Sequence, residues 1–266
     1  MPSILFIGAG RMAEAIFSGL LRQPKQPFDS IYVTNRTNKE RLGELAQRYA
    51  ITPVDTHGAI AAKADVLLLA MPPSAHGEVL SELAPMIRGQ LIITVAAGIG
   101  PSDMEAQLPE GTAAAWIMPN TAAQVGTSIS LYAFGKNVAE KQKLLVKEIV
   151  HAIGAGEELS EEQIHDLTAI TGSAPAFVYE FALQLEKMAL SYGITDKQAR
   201  HLVETMLAGS VKMLETGAPP QELRDQVTTP GGATEAGLVS LGNDHFSAML
   251  ERAVHAVTDH AKNKRN

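Results

Sequence analysis

The apolar positions of this chain change period just past its midpoint. Up to about residue 154, short continuous apolar runs alternate with segments whose apolar residues recur every three to four positions. Residues 3–8 (Ser-Ile-Leu-Phe-Ile-Gly) form the first run, and Met12, Ile16, Leu20 and Leu21 mark the helical face that follows it. Pro24 and Pro27 break that helix. Further strands are predicted at 31–34, 52–54, 65–70, 91–97, 114–118 and 128–134, and further helices at 39–49, 75–86 and 138–153. The runs 65–70 and 91–97 are apolar throughout, as strands covered on both faces require. The alternation predicts right-handed βαβ units in an α/β, doubly wound Rossmann-like sheet.

After Gly154-Ala155-Gly156 only the helical period remains. Phe177, Phe181, Leu185, Met188 and Tyr192 keep it, as do Leu202, Val203, Met206, Leu207, Val211 and Leu214, and then Phe246, Met249, Leu250, Val254 and Val257. The sequence therefore predicts two domains, a Rossmann-like one at 1–154 and an all-α C-terminal one at 155–266. The wide apolar faces carrying Met188, Met206, Met213 and Met249 fit either ordinary core filling or a dimer interface.

Composition narrows the chemistry. With no cysteine in 266 residues, a disulfide framework, a thiolate nucleophile, a Cys-ligated metal and CxxC redox chemistry are excluded. A net charge of -7, only 5% aromatic residues, and basic clustering confined to Lys262, Lys264 and Arg265 argue against a nucleic-acid surface. No apolar stretch approaches the ~20 residues of a membrane span, and residues 1–3 show no basic leader, so a cytoplasmic location off the membrane is expected.

Between the first strand and the first helix lies Gly8-Ala9-Gly10-Arg11-Met12-Ala13, which fits GxGxxG/A. Gly8 permits the tight turn, Gly10 lets a pyrophosphate approach the backbone, Ala13 allows close helix packing, and the helix N-terminus offers free N–H donors. By itself the pattern also describes a merely tight βα turn. The second strand runs into Asn35-Arg36-Thr37 without a carboxylate, whereas Asp29 precedes that strand and sits at its wrong end. A guanidinium there suits a 2'-phosphate, so NADPH is the expected cofactor, with NADH as the second choice, though Arg36 also reads as a solvated loop charge. Loops at Ala70-Met71-Pro72-Pro73, Ala96-Ala97-Gly98 and Met118-Pro119-Asn120-Thr121 leave strand C-termini, where ligands of open α/β sheets bind, though each also reads as a plain turn.

In the helical half, Pro230-Gly231-Gly232-Ala233-Thr234 forms a tight glycine turn, with Thr234 expected to cap a helix starting near Glu235. Such a turn is either a capped helix start or a carboxylate-sized anion site. Glu162 and His165 have metal-ligand spacing but no companion pair, so they read as a solvated helix face, as do His255 and Asp259. Ser173 has no strand before it and so forms no nucleophile elbow.

Taken in order, the N-terminal fingerprint, Met118-Pro119-Asn120-Thr121, Gly172-Ser173-Ala174-Pro175-Ala176 and Pro230-Gly231-Gly232-Ala233-Thr234 resemble the pyrroline-5-carboxylate reductase family over nearly the whole chain. The resemblance implies NAD(P)H-dependent reduction of 1-pyrroline-5-carboxylate to L-proline. It also implies a helical domain for dimerisation and substrate binding, with dimers assembling into larger rings. Carried over, Gly8, Ala9, Gly10, Arg11, Met12 and Ala13 would hold the pyrophosphate, and Asn35 and Arg36 the adenosine phosphate. Ala70, Met71 and Ala97 would lie beside the ribose and nicotinamide. Gly231, Gly232, Ala233 and Thr234 would hold the substrate, with the Thr234 hydroxyl as the catalytic group on the ring nitrogen. The chain departs from the family pattern at His57, Pro72, Ala174 and Gln226, where Asn, Lys, Gly and Asn are usual. Two rival readings remain at this point: a hydroxyacid dehydrogenase-like enzyme and a dinucleotide-sensing protein without turnover. The first requires a Lys base that is missing between 172 and 185.

Overall fold

The computed structural model describes residues 1–263, and Lys264 and Arg265 of the basic tail lie outside the described residues. The strands are β1 (Ser3–Ile7), β2 (Ser30–Thr34), β3 (Thr52–Pro53), β4 (Val66–Leu69), β5 (Leu91–Thr94), β6 (Ala113–Met118), β7 (Ser128–Phe134) and β8 (Gly154–Glu158). They form one sheet in the order β3-β2-β1-β4-β5-β6-β7-β8. Neighbours from β3 through β6 are parallel, β7 runs antiparallel to β6, and β8 is parallel to β7. Around the sheet lie α1 (Arg11–Arg22), α2 (Lys39–Arg48), α3 (Gly58–Ala61), α4 (His76–Leu83), α5 (Pro101–Glu105), α6 (Glu140–His151) and α7 (Glu161–Thr168).

Strand alternation explains the two-sided core. Ile4, Phe6, Val33, Val66, Leu68 and Ile93 face one way and pack with Ile16, Phe17 and Leu20 of α1 and with Ile149 and Val150 of α6. Leu5, Ile7, Leu67, Leu69 and Ile92 face the other way, against Val79, Leu80 and Leu83 of α4. Every residue of β4 and β5 is buried, which accounts for their unbroken apolar runs.

The expected break at residue 154 falls before the last strand. β8 has the sequence Gly-Ala-Gly-Glu-Glu and carries no large apolar side chain, so periodicity gave no sign of it. It needs glycine because Gly154 has φ +146 and a Cβ there would meet Ser128 O at 2.2 Å. The chain divides instead at residue 172, with Ser173–His260 as a second compact unit.

That unit contains α8 (Ala174–Leu190), α9 (Asp196–Leu214), α10 (Pro220–Gln226), α11 (Ala233–Asn243) and, as far as His260, α12 (Phe246–Asn263). In α8 through α11 only Ala199 and Val203 are buried. Phe181, Met188, Met206, Met213 and Met249 are each 44–54% exposed, so in the single chain these methionines are not core filler. Among the described residues no helix is long and apolar enough to cross a membrane.

Candidate functional site

The first βα turn is shaped by one contact. Gly8 sits at φ +112 and its N–H donates to Thr34 O at 2.9 Å, locking the turn to the end of β2. A Cβ on Gly8 would meet Ala70 O at 2.6 Å, so fingerprint turn and β4 loop are in backbone contact. Gly10 then serves as N-cap of α1 with no side chain to accept from the first-turn amides. A Cβ at Gly10 would meet nothing within 4 Å. Those N–H groups are therefore left for an anion. Ala13, in the first turn of α1, is fully buried, and Met12 is half-buried beside the core. Glu14, in the first turn, would repel an anion if free. Its charge is offset by Arg41 and by Arg48 at 3.0 Å, and the Tyr49 hydroxyl donates to it at 3.0 Å.

Gly8, Ala9, Gly10, Arg11, Asn35, Ala70 and Met71 line one cleft of about 450 Å³, together with Asn38, Arg41 and Pro72. Asn38 and Arg41 were not singled out by sequence. Their signal was Asn38 as helix cap: its Oδ1 accepts from Arg41 N at 2.8 Å, and Asn35 Nδ2 donates to Asn38 O at 3.1 Å. Arg36 does not line the cleft. Its guanidinium is bonded to Glu78 at 2.9 Å, and that partner raises its pKa above the ordinary arginine value. Asp29 pairs with the N-terminal amine at 2.8 Å, before β2 begins. Ala97 is exposed on the loop after β5, and Ala96 O accepts from the buried Trp116 Nε1 at 2.9 Å. His57 pairs with Glu82 at 3.0 Å and Gln226 with Glu222 at 3.4 Å, and neither lines the cleft.

The Met118–Thr121 loop is fastened from two sides. Asn120 N donates to Ser128 Oγ at 3.0 Å, and Asn120 Nδ2 donates to Thr171 O at 3.1 Å. Thr171 belongs to a π-helical turn, Ala169–Ser173, whose wider winding frees a carbonyl for such a partner.

In the second unit, the glycine turn closes through Gly232 N donating to Thr229 O at 2.9 Å. Gly231 N donates to Glu235 Oε2 at 2.7 Å. Two of the four amides expected to face a substrate are thus engaged within the loop. α11 starts at Ala233 with Gly232 as N-cap, so Thr234 is its second residue and not its cap. The φ of +73 at Gly231 turns the chain early and lets helix geometry begin at Ala233. The amides of Ala233 and Thr234 have no side-chain cap, and Thr234 is exposed.

His165 is not on a solvated face. Its ring lies 4.7 Å from that of Trp116, and its side chain is 14% exposed. His255 is exposed and lies 3.8 Å from Glu251. Among the described residues no group of three His, Cys, Asp or Glu is placed to hold a metal.

A mostly parallel sheet with a glycine cradle, an uncapped helix start and no carboxylate ending β2 defines a dinucleotide-dependent oxidoreductase. Residues 3–98 match the family model described as NADP oxidoreductase, coenzyme F420-dependent, and residues 161–264 match pyrroline-5-carboxylate reductase dimerisation. The chain is 37% identical to pyrroline-5-carboxylate reductase 1 of Bacillus subtilis, over 97% of this chain and 88% of that one. Among solved structures it resembles a Coxiella burnetii pyrroline-5-carboxylate reductase, with 30% identity, TM-score 0.88 and 98% coverage of both chains. It also resembles the Plasmodium falciparum pyrroline carboxylate reductase with NADP bound, with 26% identity, TM-score 0.87, and coverage of 100% and 98%. The chain belongs to the pyrroline-5-carboxylate reductase family.

Proposed function

We propose that this protein reduces 1-pyrroline-5-carboxylate to L-proline with NADPH, the last step of proline biosynthesis. Full-length membership of the reductase family carries this reading. NADPH supplies the hydride. The residues present fit it: an uncapped α1 N-terminus for the pyrophosphate, open space over Gly10, and no carboxylate after β2 to repel a 2'-phosphate. The ring carbon of the protonated, iminium form is already electrophilic and its nitrogen already carries the proton the product amine keeps, so the chain's work is to hold the reactants at ~3–3.5 Å rather than to supply an acid and a base. In the second unit, the free amides of Ala233 and Thr234 suit the substrate carboxylate, and the Thr234 hydroxyl suits the ring nitrogen. The rival hydroxyacid chemistry lacks its base, since the Lys of α8, Lys187, lies in the last turn.

The direct test follows NADPH absorbance with and without 1-pyrroline-5-carboxylate. Oxidation only with keto acids would establish the dehydrogenase instead, and binding without turnover a sensor.

Arg36 is assigned to the 2'-phosphate. Its pair with Glu78 is exposed and screened by solvent, so the guanidinium is free to exchange the carboxylate for a doubly charged phosphate. Replacing it in Arg36→Gln should lower kcat/KM with NADPH by roughly 10-fold or more while leaving NADH within about twofold, as loss of a charged hydrogen bond implies. Equal losses with both cofactors would remove Arg36 from this role.

Self-association through the C-terminal helices follows from the apolar faces they expose. Placing a charge in one such face, Phe181→Asp, is expected to convert dimers to monomers by light scattering and to lower helical content. A variant that stays dimeric would exclude the α8 face. A larger ring of dimers and a cytoplasmic location complete the proposal, the ring being read by the same light-scattering measurement on the unaltered protein.

A further inference from the structure

His76, the first residue of α4, is buried to 1% exposure, and nothing in the chemistry above uses it. Its two ring nitrogens reach two different segments, the loop after β4 and the last residue of β5. Nδ1 lies 3.2 Å from Pro72 O, and Nε2 lies 2.8 Å from Thr94 Oγ1. A carbonyl only accepts, so Nδ1 carries the proton and the Nε2 lone pair accepts from the Thr94 hydroxyl. Thr94 Oγ1 in turn accepts from Ala96 N at 3.1 Å, and Ala96 O accepts from Trp116 Nε1 at 2.9 Å. Every donor and acceptor in this chain of bonds is satisfied with a neutral ring. Burial also lowers the His76 pKa, which favours the same form.

The loops so joined are the one after β4, whose Ala70, Met71 and Pro72 line the cleft, and, through Thr94 at the end of β5 and its bond from Ala96 N, the one that holds Ala97. The β4 loop also abuts the fingerprint turn through Ala70 O. A shift of Pro72 is therefore a shift of the cleft wall.

We propose that His76 is a positioning residue that fastens the β4 loop to the β5 loop and holds the dinucleotide cleft in its binding shape before cofactor arrives. The proposal rests on the cleft being the NADPH site. With the pin cut, the loops must be ordered when cofactor binds, and that cost appears in affinity.

The test measures NADPH dissociation constants by fluorescence, steady-state kinetics and melting temperature for the wild type, His76→Leu, His76→Asn, Thr94→Val and the His76→Leu/Thr94→Val double variant. His76→Leu should weaken NADPH binding roughly 10-fold, as loss of one to two buried hydrogen bonds implies. The KM for pyrroline-5-carboxylate should move less than about twofold, a split that loss of stability alone does not produce. His76→Asn keeps a donor near the Nδ1 position and should recover part of the affinity. Because either cut uncouples the same two loops, the double variant should bind no worse than the weaker single one, whereas independent contacts would add.

Should His76→Leu fail to fold, Thr94→Val and His76→Asn still decide the matter. Folded variants that bind NADPH as the wild type does, or losses that add, overturn the pin while leaving the cofactor site intact. A wild-type protein that does not bind NADPH overturns the cofactor site and the pin with it.

Discussion

Replacing Gly8 by alanine is expected to cost both stability and cofactor binding. The backbone at this position has φ +112, a region in which an L side chain is strained by roughly 1–3 kcal/mol. The added Cβ would lie 2.6 Å from Ala70 O and 2.8 Å from Ala70 C, atoms of main chain that cannot swing aside as a side chain would. Either the turn leaves its hydrogen bond to Thr34 O or the β4 loop is pushed back, and both move the cleft wall. A displacement of about an ångström at a binding wall is enough to lower kcat/KM on the order of 100-fold. Gly10→Ala separates the two effects. There φ is -74 and the new Cβ meets nothing within 4 Å, so the fold is untouched while the space over the turn is filled. Gly8→Ala should melt several degrees early and bind NADPH poorly, whereas Gly10→Ala should melt within a couple of degrees of the wild type and still bind poorly. If Gly10→Ala bound NADPH normally, the pyrophosphate would not pass over that residue.

The second large effect is expected at Thr234. The side chain is exposed, does not cap α11, and sits in a first turn with no other side-chain cap. Thr234→Ala therefore leaves the fold intact, and its effect is confined to substrate. A hydrogen bond to a ring nitrogen that carries charge is worth about 1.5–3 kcal/mol, or roughly 10- to 150-fold in kcat/KM. Thr234→Ser keeps the hydroxyl and should recover most of that loss. Unchanged kcat/KM with pyrroline-5-carboxylate in Thr234→Ala would assign the loop to the carboxylate alone, through its amides.

That Gly8 and Gly10 play separate roles follows from the order of residues in a βα turn. That one tolerates a Cβ and the other does not depends on where Ala70 lies, 62 residues away in sequence from Gly8. The same contrast runs through the cleft. Asn35, Ala70 and Met71 line it, because positions at strand C-termini of an open sheet converge there whatever their side chains. Arg36 points elsewhere because a partner on α4, Glu78, captures it, and Arg41 faces the cleft because Glu14 of α1 holds it. Neither partner is near in sequence.

By itself the sequence determined the α/β class, the placement of the glycine cradle between the first strand and helix, the change to a purely helical unit and the Pro230–Thr234 turn. All of these are written in local periods and in glycine positions, which depend on steric rules of neighbouring residues. Only the tertiary structure decided that β8 extends the sheet, that His165 packs on Trp116, that Gly231 is engaged by Glu235, and that His76 bridges two loops. The first two and the last depend on register between distant segments. The Gly231 contact depends on a single backbone torsion. An amphipathic period does not encode which side chains meet across elements, because that is set by packing the whole core at once.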